Sequence, residues 1–306
     1  MKQRWRRLGL VYAPDGSQWW ARQHAMLPTP LMLDDTRLRV YFASTDENIV
    51  GRVGFLELDV REPTKVLRLT TEPVLDIGRA GAFDDSGVNP SCAVWAGDEL
   101  RLYYVGYQLQ RRIPYTLFTG CAVSRDGGEH FARLSEVPLL DRSDGEEFFR
   151  SAPFLRREAE GWRLWYIAGG SFADVAGKAQ PLYDIRTLTS SDGITFAGPS
   201  GEVLTPRRPD EIGFGRPFVT DRDGGALDLN ISVRSASGYR LGYAQSRDGG
   251  SWERDDSKFE MTGPVESWES EMTCYSAIVK TRHGTLMFYN GNGYGRTGFG
   301  VARAEF

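Results

Sequence analysis

Cysteine and histidine are scarce in this chain of 306 residues, with three of each. Cys92, Cys121 and Cys274 are too few and too scattered for a disulfide framework or a metal knuckle. No apolar run approaches the roughly 20 residues that a bilayer span requires. Nor is there an excess of positive charge. The 37 Lys and Arg against 41 Asp and Glu leave a formal charge of −4, which argues against nucleic acid as the main partner. The basic start, Met1 to Arg7, runs into a strand-like segment rather than an apolar signal core, so a cytoplasmic protein is expected. What the chain does have is 35 glycines and 12% aromatic residues, a composition that suits many turns between short strands.

A repeat organises those turns. Leu117–Phe131 (LFTGCAVSRDGGEHF), Ile185–Phe196 (IRTLTSSDGITF) and Leu241–Trp252 (LGYAQSRDGGSW) each read as a strand, then Ser-x-Asp-Gly, then an aromatic residue. Gly supplies the positive φ of a hairpin, and Asp accepts backbone N–H groups within the turn. Upstream of each lies an apolar strand: Leu100–Tyr107, Trp162–Ala168 and, more loosely, Leu227–Val233. Leu38–Ala43 and Thr285–Asn290 repeat this strand without the Asp-Gly hairpin. Five units at intervals of about 45 to 65 residues fit four-stranded blades. The expectation is an all-β, five-bladed β-propeller forming a single domain over 1–306. The last unit stops at its third strand, and Trp5–Ala13 is a spare strand placed to complete it and close the ring.

In such a ring the entry to each blade's first strand and the loop between strands two and three share one face. The Ser-x-Asp-Gly hairpins fall on the other, so Asp126, Asp192 and Asp248 read as turn residues. Counting back six from a proline or its equivalent gives His24 (Pro30), Asp84 (Pro90), Glu147 (Pro153), Glu211 (Pro217) and Glu271 (Ala277). Asp85, Glu146, Asp210 and Glu269 lie nearby. This spacing is expected to gather carboxylates and one imidazole at a central funnel, where crowding separates their pKa values into acid and base. The candidate catalytic set is Asp84, Asp85, Glu147, Glu211 and Glu271. Candidates for substrate contacts are His24, Asp46, Asn89, Arg150, Arg216, Arg234, Tyr275, Asn290 and Asn292. For each acid taken singly, capping a loop or pairing with Arg150 or Arg216 is an equally good reading. No cofactor is called for; calcium stays open. The partner expected is a carbohydrate or sugar conjugate.

The whole repeat resembles the five-bladed propeller clan of glycoside hydrolases, which includes arabinanases, levansucrases and invertases (families 43, 32 and 68), with the mannoside phosphorylases of family 130 nearby. Phe83–Pro90 (FDDSGVNP), Gly215–Pro217 and Met287–Gly298 (MFYNGNGYGRTG) resemble a branch linked to bacterial surface-polysaccharide pathways. The resemblance implies a blade-one Asp as base or nucleophile, a blade-two Asp that tunes pKa and a blade-three Glu as acid. Asp84 or Asp85 matches the second role and Glu147 or Glu146 the third, whereas blade one offers His24 in place of the acid. Three activities follow: glycosyl cleavage or transfer, phosphorolysis with Arg150, Arg216 or Arg234 holding phosphate, and carbohydrate binding without catalysis. A six-bladed sialidase is a rival, because Ser124–Phe131 has its Asp-box spacing, although only five units are present.

Overall fold

The Tyr- and Trp-rich runs combine β-branched and aromatic residues, which favour strands packed on both faces. Each becomes the second strand of an antiparallel unit in a computed structural model that describes residues 2–175 and 177–305. Ala176 and Phe306 lie outside the described residues. Blade one comprises Gln23–Met32, Arg37–Thr45, Gly51–Asp59 and Glu62–Leu69. Blade two is Gly87–Ala96, Glu99–Leu109, Tyr115–Ser124 and Ala132–Arg133. Blade three is Phe149–Glu158, Gly161–Val175, Lys178–Ser190 and Gly201–Leu204, and blade four Glu211–Asp221, Leu227–Ser235, Gly238–Ser246 and Glu253–Arg254.

Blade five takes three strands from the end of the chain: Cys274–Thr281, Gly284–Asn290 and Phe299–Glu305. Its fourth is the N-terminal strand Gln3–Tyr12, antiparallel to Phe299–Glu305 from Arg4↔Glu305 to Tyr12↔Phe299. The ring is thereby closed by the spare strand, as the sequence led one to expect. Phe259–Thr262 then adds in parallel to the outer side of Gln3–Tyr12 and covers its edge. Asn290 makes a second closure between blades five and one: its Oδ1 accepts from the N–H of Leu27, and its Nδ2 donates to the carbonyl of Ala25.

Successive blades are tied on both faces. On the strand-one entry face they touch through short parallel pairings, Gly51↔Gly87, Leu117↔Phe149 and Tyr183↔Gly213. On the opposite face each Ser-x-Asp-Gly hairpin accepts a bond from the preceding blade: Tyr41 to Gly128, Tyr103 to Gly193 and Arg163 to Gly249. The Asp side chains accept N–H groups inside their own turns, as at Asp192 with Ile194 and Thr195, which confirms them as turn residues. Phe131, the aromatic after the first hairpin, packs edge-on to Tyr41 of blade one. The hydrophobic core therefore lies between sheets. Among the described residues no helix is long and apolar enough to cross a membrane.

Candidate functional site

Three acids at the strand-one entries repeat one contact. Asp84 accepts from the Tyr104 hydroxyl at 2.9 Å, Glu146 from Tyr166 at 2.8 Å and Glu269 from Tyr289 at 2.8 Å, each pair twenty residues apart. Each acid also meets an arginine: Arg133 on Asp84, Arg150 on Glu146 and Arg7 on Glu269. Arg133 and Arg7 stand on the fourth strands of blades two and five, so the buried acids and tyrosines brace an entry loop against its own blade. Blade four has Ile231 at the tyrosine position, and Glu211 is held instead by Arg254 at 2.7 Å and Arg240 at 3.0 Å. Burial raises the pKa of Glu211, but the Arg254 guanidinium outweighs it and the net shift is downward. In blade one Trp20 fills the space over Gly54 as Trp268 does over Gly300 in blade five. That match puts Ala21 where Glu269 stands, and the tyrosine position is Phe42.

These braces correct the expected carboxylate ring. Asp84 and Glu211 are enclosed by arginines of their own blades and do not face the axis. Asp85 accepts from Gly81 N–H and Ser86 Oγ in its own loop. Glu147 is exposed, its pKa lowered by the N–H of Gly145, and Glu271 is exposed. Arg150 is committed to Glu146. Asp46 accepts from the N–H groups of Asn48 and Val50 and pairs with Arg52 at 2.7 Å, which shapes the loop after strand two of blade one. Asn290 closes the ring. Asn292 accepts from the N–H groups of Glu271 and Met272 and holds their loop.

The six-residue register slips because every inner strand carries a bulge. Positive φ at Leu27 (51°), Ala152 (49°), Arg216 (33°) and Tyr275 (57°) marks the bulge in four blades. The next residues are Pro28, Pro153, Pro217 and Ser276, so the structural equivalents in blades one and five are Pro28 and Ser276, not Pro30 and Ala277. His24 and Glu271 therefore lose their matched positions.

Arg216 plugs the axis. Its Nη1 donates to the carbonyls of Pro28 and Tyr275, and its Nη2 to Thr29 Oγ1 and the Ser91 carbonyl, which joins blades one, two and five to blade four. Complete burial lowers its pKa to about 9. On the strand-one entry face, residues of four blades converge on Arg234. It donates to the Tyr183 hydroxyl at 2.6 Å and to Gln180 Oε1 at 2.5 Å, and lies over the rings of Tyr183 and Tyr239. The Tyr183 and Tyr239 hydroxyls share a 2.7 Å bond, and Tyr239 packs on Tyr275 and edge-on to the exposed Tyr294. Tyr115 of blade two lies close enough to Arg234 for the two to interact electrostatically. Such a meeting of blades two to five can occur only over the axis.

Two further sequence candidates complete the description. Asn89 is half-buried with Oδ1 enclosed and without a hydrogen-bond partner. His24 is half-buried with Nδ1 3.0 Å from Thr45 Oγ1, and burial together with the Arg296 charge lowers its pKa, favouring the neutral ring. Of the residues expected from the sequence, the structure brings Arg234 and Tyr275 into one cluster. Tyr239 was missed, since it reads in sequence as an ordinary strand residue, while Tyr115, Gln180, Tyr183 and Tyr294 lie in loops whose amides and aromatics suit a sugar but were not singled out as site residues. Asp184 was also missed; it lines a cavity of about 360 Å³ between blades three and four with Gly170, Arg186, Pro206 and Glu211. Burial raises its pKa, and Arg186 only partly opposes the shift. Among the described residues no three His, Cys, Asp or Glu side chains cluster as metal ligands would.

No family model matches the chain. It is 33% identical over 301 residues to the Uncharacterized protein Rv1502 of Mycobacterium tuberculosis, covering 98% of this chain and 99% of that one. The chain belongs to the Rv1502 family. Among solved structures, a glycoside hydrolase superposes with TM-score 0.73 at 16% identity over 99% of this chain and 91% of the other. A thermostable family-43 glycoside hydrolase gives TM-score 0.67 at 14% identity, over 96% and 91%. A BT0996 RGII complex gives TM-score 0.72 at 16% identity, over 99% and 91%. At these identities the likeness establishes the fold alone: this chain shares the five-bladed propeller of the glycoside hydrolases.

Proposed function

We propose that the chain binds a glycosyl ligand in the tyrosine-lined funnel above Arg216. The observation that carries this reading is the convergence of rings and polar groups from separate blades on Arg234, over the axis that the buried Arg216 side chain occupies. Sugars offer C–H faces to aromatic rings and hydroxyls to amides and guanidinium groups, and Tyr275, Tyr294, Asn89 and Arg234 supply both. The fold shared with glycoside hydrolases, and the RGII complex among the superposing structures, point the same way. A native mass-spectrometry screen against short glycans and nucleotide sugars tests it. A bound glycan is expected, with affinity reduced about tenfold by Tyr294→Ala or Asn89→Ala. A screen without any bound sugar overturns the proposal.

Cleavage or transfer of the glycosyl unit is favoured by a separate observation. Asp184 lines the cavity beside Tyr183, and burial raises its pKa. A carboxyl group kept protonated in this way can act as a proton donor. Asp184 would protonate the leaving oxygen as its bond to the anomeric carbon breaks, and water or an acceptor hydroxyl would add to that carbon and release its proton. Release of free sugar from a glycan bound by the wild-type protein supports this activity; binding without turnover across the same glycans removes it.

A further inference from the structure

Three arginines are buried among the described residues: Arg39, Arg216 and Arg234. Arg39 is neutralised by Glu57 and Glu129, each at 2.5 Å. Arg216 gives four N–H bonds to neutral protein oxygens, with Nε left without a partner, and is 1% exposed, out of reach of a ligand. Arg234 differs from both. It stands in the tyrosine cluster over the axis, 8% exposed, and its partners are the neutral hydroxyl of Tyr183 and the amide of Gln180. A guanidinium has five N–H donors and stays charged at any physiological pH. Leaving such a cation buried without a counter-charge is costly, and ring faces at 5.6 and 5.7 Å offset only part of that cost.

A second positive charge stands at the same mouth. Arg296 lies in the loop between strands two and three of blade five, exposed, and close enough to His24 to disfavour its protonation. Tyr294, two residues before it, has φ of 61° and packs on Tyr239, which fixes this loop over the ring cluster. No protein carboxylate pairs with Arg234 or Arg296 among the described residues, although most other arginines near the blade entries have one.

We infer that the glycosyl ligand carries the missing negative charge, a carboxylate or a phosphate, and that Arg234 binds it through its free N–H donors. This rests on the carbohydrate reading above and adds the class of sugar: a uronate or a sugar phosphate. A planar guanidinium matches either group in a two-point hydrogen bond. The tyrosine hydroxyls that now solvate Arg234 would turn to the same oxygens or to ring hydroxyls.

Calorimetric titration with matched hexose pairs tests it, each pair a neutral methyl glycoside against its uronate or its 1-phosphate, with inorganic phosphate as the bare anion. At low salt the anionic member of at least one pair is expected to bind about tenfold or more tightly than its neutral partner. The uronate and phosphate arms then separate the two sources. Raising NaCl about tenfold weakens the anionic member and leaves the neutral one unchanged. Arg234→Gln reduces the preference to within about twofold, with thermal unfolding confirming the fold. Should that variant not fold, Gln180→Ala frees a donor of Arg234 and is expected to keep or sharpen the preference. Neutral sugars that bind as well as their anionic partners overturn the inference and keep the carbohydrate reading. Inorganic phosphate bound as tightly as every sugar phosphate, or no sugar bound at all, overturns both.

Discussion

Tyr104 donates to Asp84 across 2.9 Å from a position twenty residues later, and the same pairing recurs at Tyr166–Glu146 and Tyr289–Glu269. A contact repeated at one spacing in three blades belongs to the architecture of the blade. Asp84 is fully buried and carries the Arg133 charge, so Asp84→Asn leaves a cation without its partner. Breaking a buried pair from one side costs about 3–5 kcal/mol. Urea unfolding of Asp84→Asn is expected to show a loss of that size, with glycan affinity of the folded fraction unchanged. Unchanged stability together with lost binding would return Asp84 to the site.

In blade four Ile231 stands at the tyrosine position and Arg254 and Arg240 hold Glu211 instead, which makes this brace sensitive to pH. Glu211 titrates below its ordinary 4.5 in the folded protein, so its charge stabilises the fold above that pH. The gain is lost as pH falls through the range below 4.5, where the folded carboxylate too becomes protonated. Glu211→Gln is therefore expected to lower the melting temperature at pH 7, and the gap to wild type narrows as the pH drops below 4.5. A gap constant from pH 7 to pH 3 contradicts the Arg254–Glu211 assignment.

The blades were legible in sequence because each hairpin states its own geometry: Ser-x-Asp-Gly needs no distant partner to make a turn. Ring closure was legible for a related reason, since five units with one strand short and one strand spare admit a single arithmetic. The site was not. Glu146 and Glu147 are adjacent in sequence, yet one is buried against Tyr166 and the other lies in solvent. Spacing from a proline could not separate them, because bulges displace Pro28 and Ser276 from the register assumed with Pro30 and Ala277. The tyrosine twenty residues on would have separated them. Nothing local marks Tyr183 and Tyr239, which meet at Arg234 only because the ring brings separate blades to one axis.

The N-terminal strand carries the clearest stability prediction. Gln3–Tyr12 pairs with Phe299–Glu305 on one side and Phe259–Thr262 on the other, and Trp5 is buried against blade five. Deleting residues 2–12 uncovers two strand edges and opens the ring. The truncated chain is expected to form oligomers or aggregate in size-exclusion chromatography, whereas the full chain elutes as a discrete species. Adding the residue 2–12 peptide in trans is expected to restore solubility in part. A truncated chain with an unchanged melting temperature would show that closure does not depend on this strand.

Asp184 offers the sharpest separation between binding and catalysis. Its pKa is raised by burial, so the protonated form persists to higher pH than for an ordinary aspartate. If that proton reaches a glycosidic oxygen, Asp184→Asn lowers kcat by about 100-fold or more while affinity changes little. The rate should also fall as pH rises through the raised pKa, since the acid form is the competent one, and this alkaline limb should vanish in the variant. Folding moves the other way. Between its ordinary 3.8 and the raised value the folded protein holds the extra proton, so ionisation above that window disfavours the fold. Asp184→Asn is accordingly expected to be at least as stable as wild type at pH 8. A variant that loses turnover and stability together makes Asp184 a structural partner of Arg186 instead.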